Sequence, residues 1–241
     1  MKVSVVVPAF NEEALLAGSL ASIRDALGAF ASAGWQCELV VCDNNSTDRT
    51  AEIARTQGAR VVFEPVNQIA RARNAGAAAA TGDWLIFVDA DSWPSRALFE
   101  DARRAMEGGR CLAGGATVSY EDPGLAAGLA IRAWNVVSRV NRWAAGSFMF
   151  CEAAALREAG GFNEALFTSE EIDLYRRLKA LARRRGKSIV ILHRHPLHTS
   201  GRKLKLYGWG EMAGFLLRTV CSGGRTLRSR KDCFAWYDGR R

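Results

Sequence analysis

The chain has 241 residues, of which 49% are apolar and 24% charged, and its formal net charge is +8. This length suits one large α/β domain or one domain with an extension, and the ordinary composition argues against disorder. No stretch approaches the roughly 20 apolar residues that span a bilayer, and the first apolar run, Val3–Val7, is too short for a secretory signal. The six cysteines form no CxxC pair, so we expect a reducing, cytoplasmic location and no metal–thiolate site.

Short apolar runs alternate with helical patterns through the first half of the chain. The predicted strands are Lys2–Val7, Cys37–Cys42, Ala59–Phe63 and Trp84–Val88. The predicted helices are Asn11–Phe30 with Asn11 as N-cap, a helix from Ser46 or Thr47 to Gln57, Ile69–Ala80, and one that Pro94 or Ser95 opens. This alternation is typical of an α/β protein with a mostly parallel, Rossmann-like sheet flanked by helices, whose ligands bind outside the carboxyl ends of the strands.

The second half of the chain has a less regular pattern. Its predicted elements are a strand Leu112–Tyr120, an amphipathic helix Leu125–Arg142, a strand Ser147–Cys151, a turn Gly160–Gly161, a helix Ser169–Arg185 and a short last strand Ile189–Leu192. A basic segment with Tyr207 and Trp209 follows.

Two acidic residues separated by one alanine end the fourth predicted strand. Asp89 and Asp91 directly follow the apolar run Trp84–Val88. Burying two carboxylates together is costly unless a cation or hydrogen-bond donors compensate them. Mg²⁺ and Mn²⁺ prefer such oxygen ligands and leave coordination positions free for phosphates. The location at the binding edge of the sheet favours a divalent-cation site over a turn with two capping aspartates.

Further polar residues follow the second strand and open the third helix. Asp43 ends its strand and is suited to accept hydrogen bonds from a nucleobase or ribose, although the run Asp43–Asp48 is also typical of a turn. Arg71 and Arg73 suit phosphates and bases, with a solvated helix face as the alternative. Gly76 is expected to permit close packing of this helix on the sheet.

The helix predicted at Ser169 begins with the acids Glu170, Glu171 and Asp173. Acids in a first helical turn ordinarily stabilise the helix dipole. The functional alternative makes one glutamate a general base, because a partly enclosed carboxyl group near other carboxylates has a raised pKa.

The chain has three histidines, His193, His195 and His198. Their spacing suggests a zinc site, but no cysteine lies nearby, which disfavours structural zinc. We expect instead that His198 is a third ligand of the cation bound by the aspartates.

Together these segments resemble the family 2 glycosyltransferases, which have the GT-A fold and invert the configuration of the transferred sugar. The matching segments occur in the family's order at residues 3–13, 41–48, 71–76, 82–91, 160–164 and 169–174. The resemblance covers roughly residues 2–180. It implies a GT-A domain over 1–200, with a nucleotide-binding half over about 1–92 and an acceptor half over about 93–200. A basic, helical C-terminal extension would occupy 201–241.

The resemblance also assigns roles to single residues on the donor side. The residues it places in donor binding are Pro8, Phe10, Glu12, Asp43, Arg71, Asp89 and Arg202. Among them, Asp43 would hold the base, Arg71 would reach the base or phosphates, and Arg202 would contact the diphosphate. Asp91 would be the main ligand of a Mn²⁺ or Mg²⁺ ion, with Asp89 near the ribose and sugar.

The catalytic base of the family is usually the aspartate of a Glu-Asp pair. Glu171 stands at that position here, and its longer side chain keeps Glu170 open as the alternative. The implied reaction is the metal-dependent, inverting transfer of a hexose-type sugar from a nucleotide-diphosphate sugar, with UDP favoured, to an acceptor hydroxyl. A nucleotidyltransferase is less well supported, because no Gly-rich phosphate loop follows the first strand. A noncatalytic nucleotide-sugar or polyanion-binding protein is the other alternative.

The C-terminal quarter carries most of the excess charge. From Arg176 onward, 18 Lys and Arg residues oppose three acids. Such a surface attracts phosphates. The apolar side chains suited to insert at headgroup depth are Leu204, Leu206, Tyr207 and Trp209, extended by Phe215, Leu216 and Leu217. This pattern predicts peripheral contact with the anionic inner face of a membrane and a lipid or lipid-linked acceptor. A solvated surface is the alternative, and nucleic acid is not expected.

Overall fold

A computed structural model of the chain describes residues 1–120, 124–202, 214, 217–219, 222–233 and 237. The strands are β1 (Lys2–Ala9), β2 (Gln36–Asp43), β3 (Arg60–Phe63), β4 (Trp84–Val88), β5 (Ser92–Trp93), β6 (Cys111–Tyr120), β7 (Phe148–Glu152) and β8 (Ser188–Thr199). The helices are α1 (Leu16–Ala31), α2 (Thr50–Thr56), α3 (Ile69–Ala79), α4 (Arg96–Glu107), α5 (Gly124–Asn141), α6 (Ala153–Glu158) and α7 (Glu170–Arg184), with a 3₁₀ turn at Arg225–Arg228. None of the described helices combines the length and apolar character that crossing a bilayer requires.

The described strands form one sheet in the order β3-β2-β1-β4-β7-β6-β8-β5. The strands β3, β2, β1 and β4 run parallel, as do β6 and β8, whereas β7 is antiparallel to both of its neighbours. Ala9 lies opposite Asp43, and Val6 lies opposite Phe87. The carboxyl ends of β1, β2 and β4 therefore meet at one edge, as the predicted α/β fold requires.

Apolar side chains fill both faces of this sheet. One core cluster contains Leu20 and Phe30 of α1 and Phe99 of α4, and the opposite cluster contains Leu178 of α7. Gly76 of α3 lies so close to β1 that a β-carbon there would clash with a Val6 methyl group. The expected close packing of α3 on the sheet is thus confirmed.

Two predicted helix starts are wrong because the loops before them bind each other. α1 begins at Leu16 rather than at Asn11, which has a left-handed backbone with φ 50. The Asn11 side chain accepts a hydrogen bond from the Thr47 N–H at 2.8 Å, and the Ser46 hydroxyl accepts one from the Asn11 N–H at 3.0 Å. α2 consequently begins at Thr50 rather than at Ser46 or Thr47. Both loops are held at the carboxyl edge of the sheet.

The last strand is longer than the predicted Ile189–Leu192. β8 extends to Thr199, and its last residues pair with β6 on one side and with β5 on the other. All three histidines therefore lie on a strand rather than in a loop.

Parts of the basic C-terminal segment are described and lie against the main domain. The Leu227 carbonyl accepts a hydrogen bond from the Phe167 N–H at 2.7 Å. The Tyr237 hydroxyl accepts one from the Ile69 N–H at 3.3 Å, at the start of α3. Outside the described residues lie most of the predicted membrane contacts, namely Leu204, Leu206, Tyr207, Trp209, Phe215 and Leu216.

Candidate active site

A cavity of about 240 Å³ lies beyond the carboxyl ends of the central strands. This edge is where sheets of this kind bind their ligands. The charged side chains in its lining are Arg73, Asp89, Asp91, Glu170 and Glu171. The fold thus brings the predicted cation-binding acids and the predicted catalytic acids into one site, although they lie about 80 residues apart in the sequence.

Arg73 lies at the centre of this charged cluster, and its side chain is only 2% exposed. Its guanidinium donates hydrogen bonds to the Glu170 carboxylate, to Asp89 Oδ1 at 3.0 Å and to the Gly146 carbonyl at 2.9 Å. It also lies over the Phe162 ring, 5.4 Å from the ring centre. A buried charge is tolerated only with such partners, so Arg73 ties the acids of β4 to those of α7.

The cluster around Arg73 has more negative than positive charge. Burial alone lowers the pKa of the Arg73 guanidinium, but the charges of Asp89, Glu170 and Glu171 outweigh that effect and raise it. Three carboxyl groups therefore share one buried guanidinium. A divalent cation at the neighbouring Asp91 would offset the remaining negative charge.

Sequence reasoning selected Arg71 as the ligand contact and missed the central role of Arg73. The Arg71 side chain is 37% exposed and pairs with Glu164 at 2.9 Å and with Glu64 at 3.4 Å. Arg73 precedes Gly76 by three residues and therefore shares its sheet-facing side of α3. This spacing from Gly76 was the sequence signal that could have identified Arg73 as the buried arginine. A donor contact by Arg71 stays a prediction.

The two candidate bases differ in their environments. The Glu170 side chain is 3% exposed and forms the ion pair with Arg73, so its carboxylate is held in that pair. Glu171 lines the cavity, where burial and then the nearby charge of Glu170 raise its pKa from 4.5 to about 8. Both open α7 directly after Ser169, whose left-handed φ of 63 turns the chain into the helix. Of the two, Glu171 has the property that suits a general base, because its raised pKa lies near the pH at which the protein would work.

Asp89 and Asp91 are fixed at the cavity by backbone hydrogen bonds. The Asp89 N–H donates to the Ser147 carbonyl at 3.2 Å, and the Asp91 carbonyl accepts from the Ser200 N–H at 2.9 Å. Among the described residues, no three His, Cys, Asp or Glu side chains converge as a complete metal site. The carboxylate pair nevertheless fits a hard cation that takes its other ligands from phosphate and water.

His198 was predicted as a third ligand of this cation. It lies on β8, where its Nδ1 is 3.3 Å from the Ser119 hydroxyl and its ring is 6.1 Å from the Trp93 ring. Its role toward a cation stays a prediction. His195 pairs instead with Asp101 at 2.9 Å, and the part of the chain that the structure describes holds no zinc cluster.

Arg202 joins the loop after β1 to the cavity-lining Asp91. Its Nη2 donates to both carboxylate oxygens of Glu12, at 2.8 and 2.9 Å, and lies 3.7 Å from Asp91 Oδ2. Sequence reasoning placed Glu12 and Arg202 separately in the donor pocket, and the structure brings them together. An arginine beside the Asp pair is well placed for a diphosphate.

The remaining donor-side candidates follow β1 and β2. Pro8 is buried within β1, and Phe10 is partly buried directly after it. Asp43 is 6% exposed, and its Oδ1 accepts a hydrogen bond from the Ser46 N–H at 3.1 Å. That contact is typical of a turn, as the run Asp43–Asp48 indicates. The expected contact of Asp43 with a nucleobase stays a prediction.

Asn44 is a further site residue that sequence reasoning did not single out. Its side-chain amide donates to the carbonyls of Glu64 and Val66, and its oxygen accepts from the Gln68 N–H at 2.8 Å. It therefore holds the loop between β3 and α3, which leads directly into the helix that carries Arg73.

The chain belongs to glycosyl transferase family 2, whose family model matches residues 4–162. The uncharacterized glycosyltransferase Rv0539 of Mycobacterium tuberculosis is 43% identical over 89 residues, which are 37% of this chain and 36% of that protein. The match thus spans about a third of the length of this curated relative.

Solved structures of glycosyltransferases share the fold. The mannosyltransferase PcManGT from Pyrobaculum calidifontis, solved with GDP-Man and Mn²⁺, has a TM-score of 0.65 at 21% identity, over 81% of this chain and 56% of that one. Glucosyl-3-phosphoglycerate synthase from Mycobacterium tuberculosis, solved with phosphoglyceric acid, has a TM-score of 0.62 at 25% identity, over 92% and 79% of the two chains. The expected GT-A fold is confirmed.

Proposed function

We propose that this protein is a metal-dependent, inverting glycosyltransferase that transfers a hexose-type sugar from a nucleotide-diphosphate sugar to an acceptor hydroxyl. One observation carries the proposal. A single cavity is lined by the Asp89–Asp91 pair, by Glu171, whose pKa is about 8, and by the buried Arg73, which pairs with Asp89. A cation-binding pair and a general base in one cavity are the groups that this reaction needs.

Arg202 and the Asp pair form the diphosphate end of the proposed donor site. The Arg202 guanidinium lies within 3.7 Å of Asp91 Oδ2, so both groups would reach the same phosphates. Asp43, at the end of β2, would accept hydrogen bonds from the base, while Pro8 and Phe10 would form the wall beside it. We favour UDP as the nucleotide, in keeping with the family resemblance.

A Mn²⁺ or Mg²⁺ ion fits the donor end because carboxylate oxygens are its preferred ligands. Asp91 would hold the ion with Asp89, and His198 is the third candidate ligand. When bound, such an ion neutralises the charge that develops on the leaving diphosphate. The solved mannosyltransferase with GDP-Man and Mn²⁺ supports this assignment through its shared fold.

Glu171 would act as the catalytic base. Its ionised carboxylate takes the proton of the acceptor hydroxyl while that oxygen bonds to the anomeric carbon. The bond between the anomeric carbon and the phosphate oxygen breaks, and its electron pair stays on the diphosphate. Because the acceptor attacks from the face opposite the leaving group, the configuration of the sugar is inverted. Arg73 keeps Glu170 and Asp89 in place during this step.

A screen of nucleotide sugars by thermal shift, with Mn²⁺ present, tests the donor assignment. We expect the wild-type protein to be stabilised by one nucleotide family and its sugars, because a ligand that binds only the native state raises the melting temperature. Asp25→Asn, on the exposed surface of α1, is a matched control that should respond like wild type. The absence of any shift with UDP-, GDP- and other nucleotide sugars would contradict the proposal.

The proposed location is the inner face of a membrane, where the enzyme would meet a lipid or lipid-linked acceptor. Support comes from the basic C-terminal quarter, whose Lys and Arg residues suit anionic headgroups. A vesicle-binding assay with and without phosphatidylglycerol measures this attraction directly. Equal, negligible binding to both vesicle types would leave a solvated surface as the explanation of the charge.

A further inference from the structure

The outer face of α5 is unusually apolar for a surface helix. The described residues include eight exposed large apolar side chains, of which four lie on α5. They are Leu129, Val136, Val137 and Val140, with exposed fractions of 66%, 59%, 40% and 77%. Leu129, Val136 and Val140 follow helical spacing along one line, which we call the α5 stripe. Water contact with such a stripe is unfavourable.

The inner face of α5 already packs against the domain, so a rotation of the helix about its axis cannot bury the α5 stripe. Ile131 and Trp134 pack against the core beside β6. The Asn135 side chain donates to the Val118 carbonyl at 2.9 Å and accepts from the Val118 N–H at 3.1 Å. Trp134 also lines the catalytic cavity. The α5 stripe therefore lies on the outside of the helix that walls the active site.

The charged residues on α5 itself and directly after it are all positive. Residues 124–143 contain three arginines and no acid. Arg132 and Arg139 are exposed along one side of the stripe, and Arg142 is exposed just after the helix. Arg132, Arg139 and His193 also line a groove of about 470 Å³, which shares Tyr120 with the catalytic cavity. Basic groups beside exposed apolar residues match anionic headgroups above acyl chains.

We propose that α5 docks the protein on an anionic lipid surface, with the α5 stripe inserted at headgroup depth and Arg132 and Arg139 on lipid phosphates. A second copy of the chain fits this face less well. A twofold interface would bring the patch against itself, and its arginines would then meet arginines with no acid on the helix to pair them. An anionic bilayer satisfies both the apolar and the basic residues.

The docking places the acceptor side of the cavity at the membrane. A lipid that enters the groove along Arg132 and Arg139 would pass Tyr120 and present a headgroup hydroxyl toward Glu171. This consequence for the acceptor class rests on the proposed function, whereas the docking itself does not. Vesicle binding can therefore be measured without any donor sugar.

The test is co-sedimentation of the full chain with phosphatidylcholine vesicles and with vesicles that also contain phosphatidylglycerol. We expect binding to the anionic vesicles only. The variant R132Q/R139Q should lower the partition coefficient about thirtyfold, since each basic residue near such a surface contributes about fivefold. The variant L129Q/V136Q/V140Q should lower it at least about tenfold by removing the inserted apolar area.

Two matched controls separate this face from general surface properties. R55Q/R157Q removes the same charge from exposed positions on α2 and α6, and Phe63→Gln removes an apolar side chain that is 60% exposed on β3. Both controls should bind anionic vesicles like wild type. Unchanged melting temperatures would show that all variants remain folded.

The proposal would be overturned if L129Q/V136Q/V140Q bound anionic vesicles as tightly as wild type does. It would also be overturned if the R55Q/R157Q control lost as much binding as R132Q/R139Q. Failure of the wild-type chain to bind anionic vesicles would also overturn it. A concentration-dependent dimer that L129Q/V136Q/V140Q abolishes would show that a second copy covers the stripe. If transfer to a soluble acceptor persists in any of these cases, the docking falls while the proposed sugar-transfer reaction stands.

Discussion

The two sides of the cavity hold their charges in different ways. Asp89 and Asp91 follow a buried strand, and backbone hydrogen bonds to Ser147 and Ser200 fix the chain around them. On the helix side, Arg73 and Glu170 position each other through a buried ion pair. Asp89 is also paired with Arg73, and Asp91 lies 3.7 Å from Arg202. The Arg73–Glu170 pair is the more deeply buried and therefore contributes more to the stability of the fold. Substitutions on the strand side should consequently lower ligand binding most, whereas substitutions on the helix side should lower stability most.

Asp91→Ala should cause the largest loss of ligand binding with the smallest loss of stability. The backbone at position 91 bonds through its carbonyl, which the substitution retains. We expect Mn²⁺-dependent UDP binding to fall below detection in calorimetry, with a melting temperature close to that of wild type. Asp25→Asn should bind normally. Undiminished Mn²⁺-dependent binding by Asp91→Ala would remove the cation assignment.

Arg73→Met should instead destabilise the protein. It leaves Glu170 and Asp89 without their cation, a loss of about 3–5 kcal/mol in the free energy of unfolding for a broken buried pair. Arg71→Met, on the exposed side of the same helix, should cost below about 1 kcal/mol.

Denaturant unfolding of both variants, and of R73M/E170Q, checks this contrast. Removing the Glu170 charge should restore part of the stability lost in Arg73→Met, because the two side chains are coupled. Equal destabilisation by Arg71→Met and Arg73→Met would show that Arg73 is not the centre of the cluster.

Arg202→Ala should weaken UDP binding about tenfold, the scale of a lost charge-assisted hydrogen bond. Uridine, which lacks the diphosphate, should bind the variant as it binds wild type. Arg49→Ala is a suitable control, because Arg49 is a largely exposed arginine that pairs with Glu13 next to the same loop. An equal loss of UDP and uridine affinity would assign Arg202 to the base or to the fold rather than to the phosphates.

A further expected effect is a pH dependence of stability that comes from Glu171. Its pKa in the folded protein is about 8, above its ordinary value of 4.5, so the folded state binds more protons between these values. The contribution of this group to the free energy of unfolding should therefore fall as the pH rises through that window. Glu171→Gln should remove the decline, so that its stability relative to wild type is higher at pH 9 than at pH 5. A constant difference across this range would contradict the raised pKa.

The strand-end side of the cavity was largely predictable from the sequence, whereas the helix side was predictable only for its acids Glu170 and Glu171. Apolar runs bounded by polar residues located the four parallel strands to within one or two residues, and the rule for ligand sites then selected Asp43, Asp89 and Asp91. Arg73 was missed because its partner Glu170 lies 97 residues away, and no local pattern records such a contact.

Long-range pairing also explains the errors in secondary structure. The capping residues before α1 and α2 bind the facing loop instead of their own helices. The polar end of β8 forms a strand only because β6 and β5 lie on either side of it. The exposed α5 stripe was also not predicted. The periodicity of the sequence predicts an amphipathic helix, but it does not show that both faces of this helix carry apolar residues.

The most direct test of the central claim is the release of UDP from the nucleotide sugar selected by the thermal-shift screen, in wild type and in Glu171→Gln. With Mn²⁺ and an acceptor present, wild type should release UDP, and Glu171→Gln should turn over at least about 100-fold more slowly while binding the donor equally well. Glu170→Gln distinguishes the two acids. This variant should have a lower affinity for the donor, whereas Glu171→Gln should lose only the rate of the chemical step. Turnover by Glu171→Gln at the wild-type rate, or tight donor binding by wild type without any release, would contradict the account.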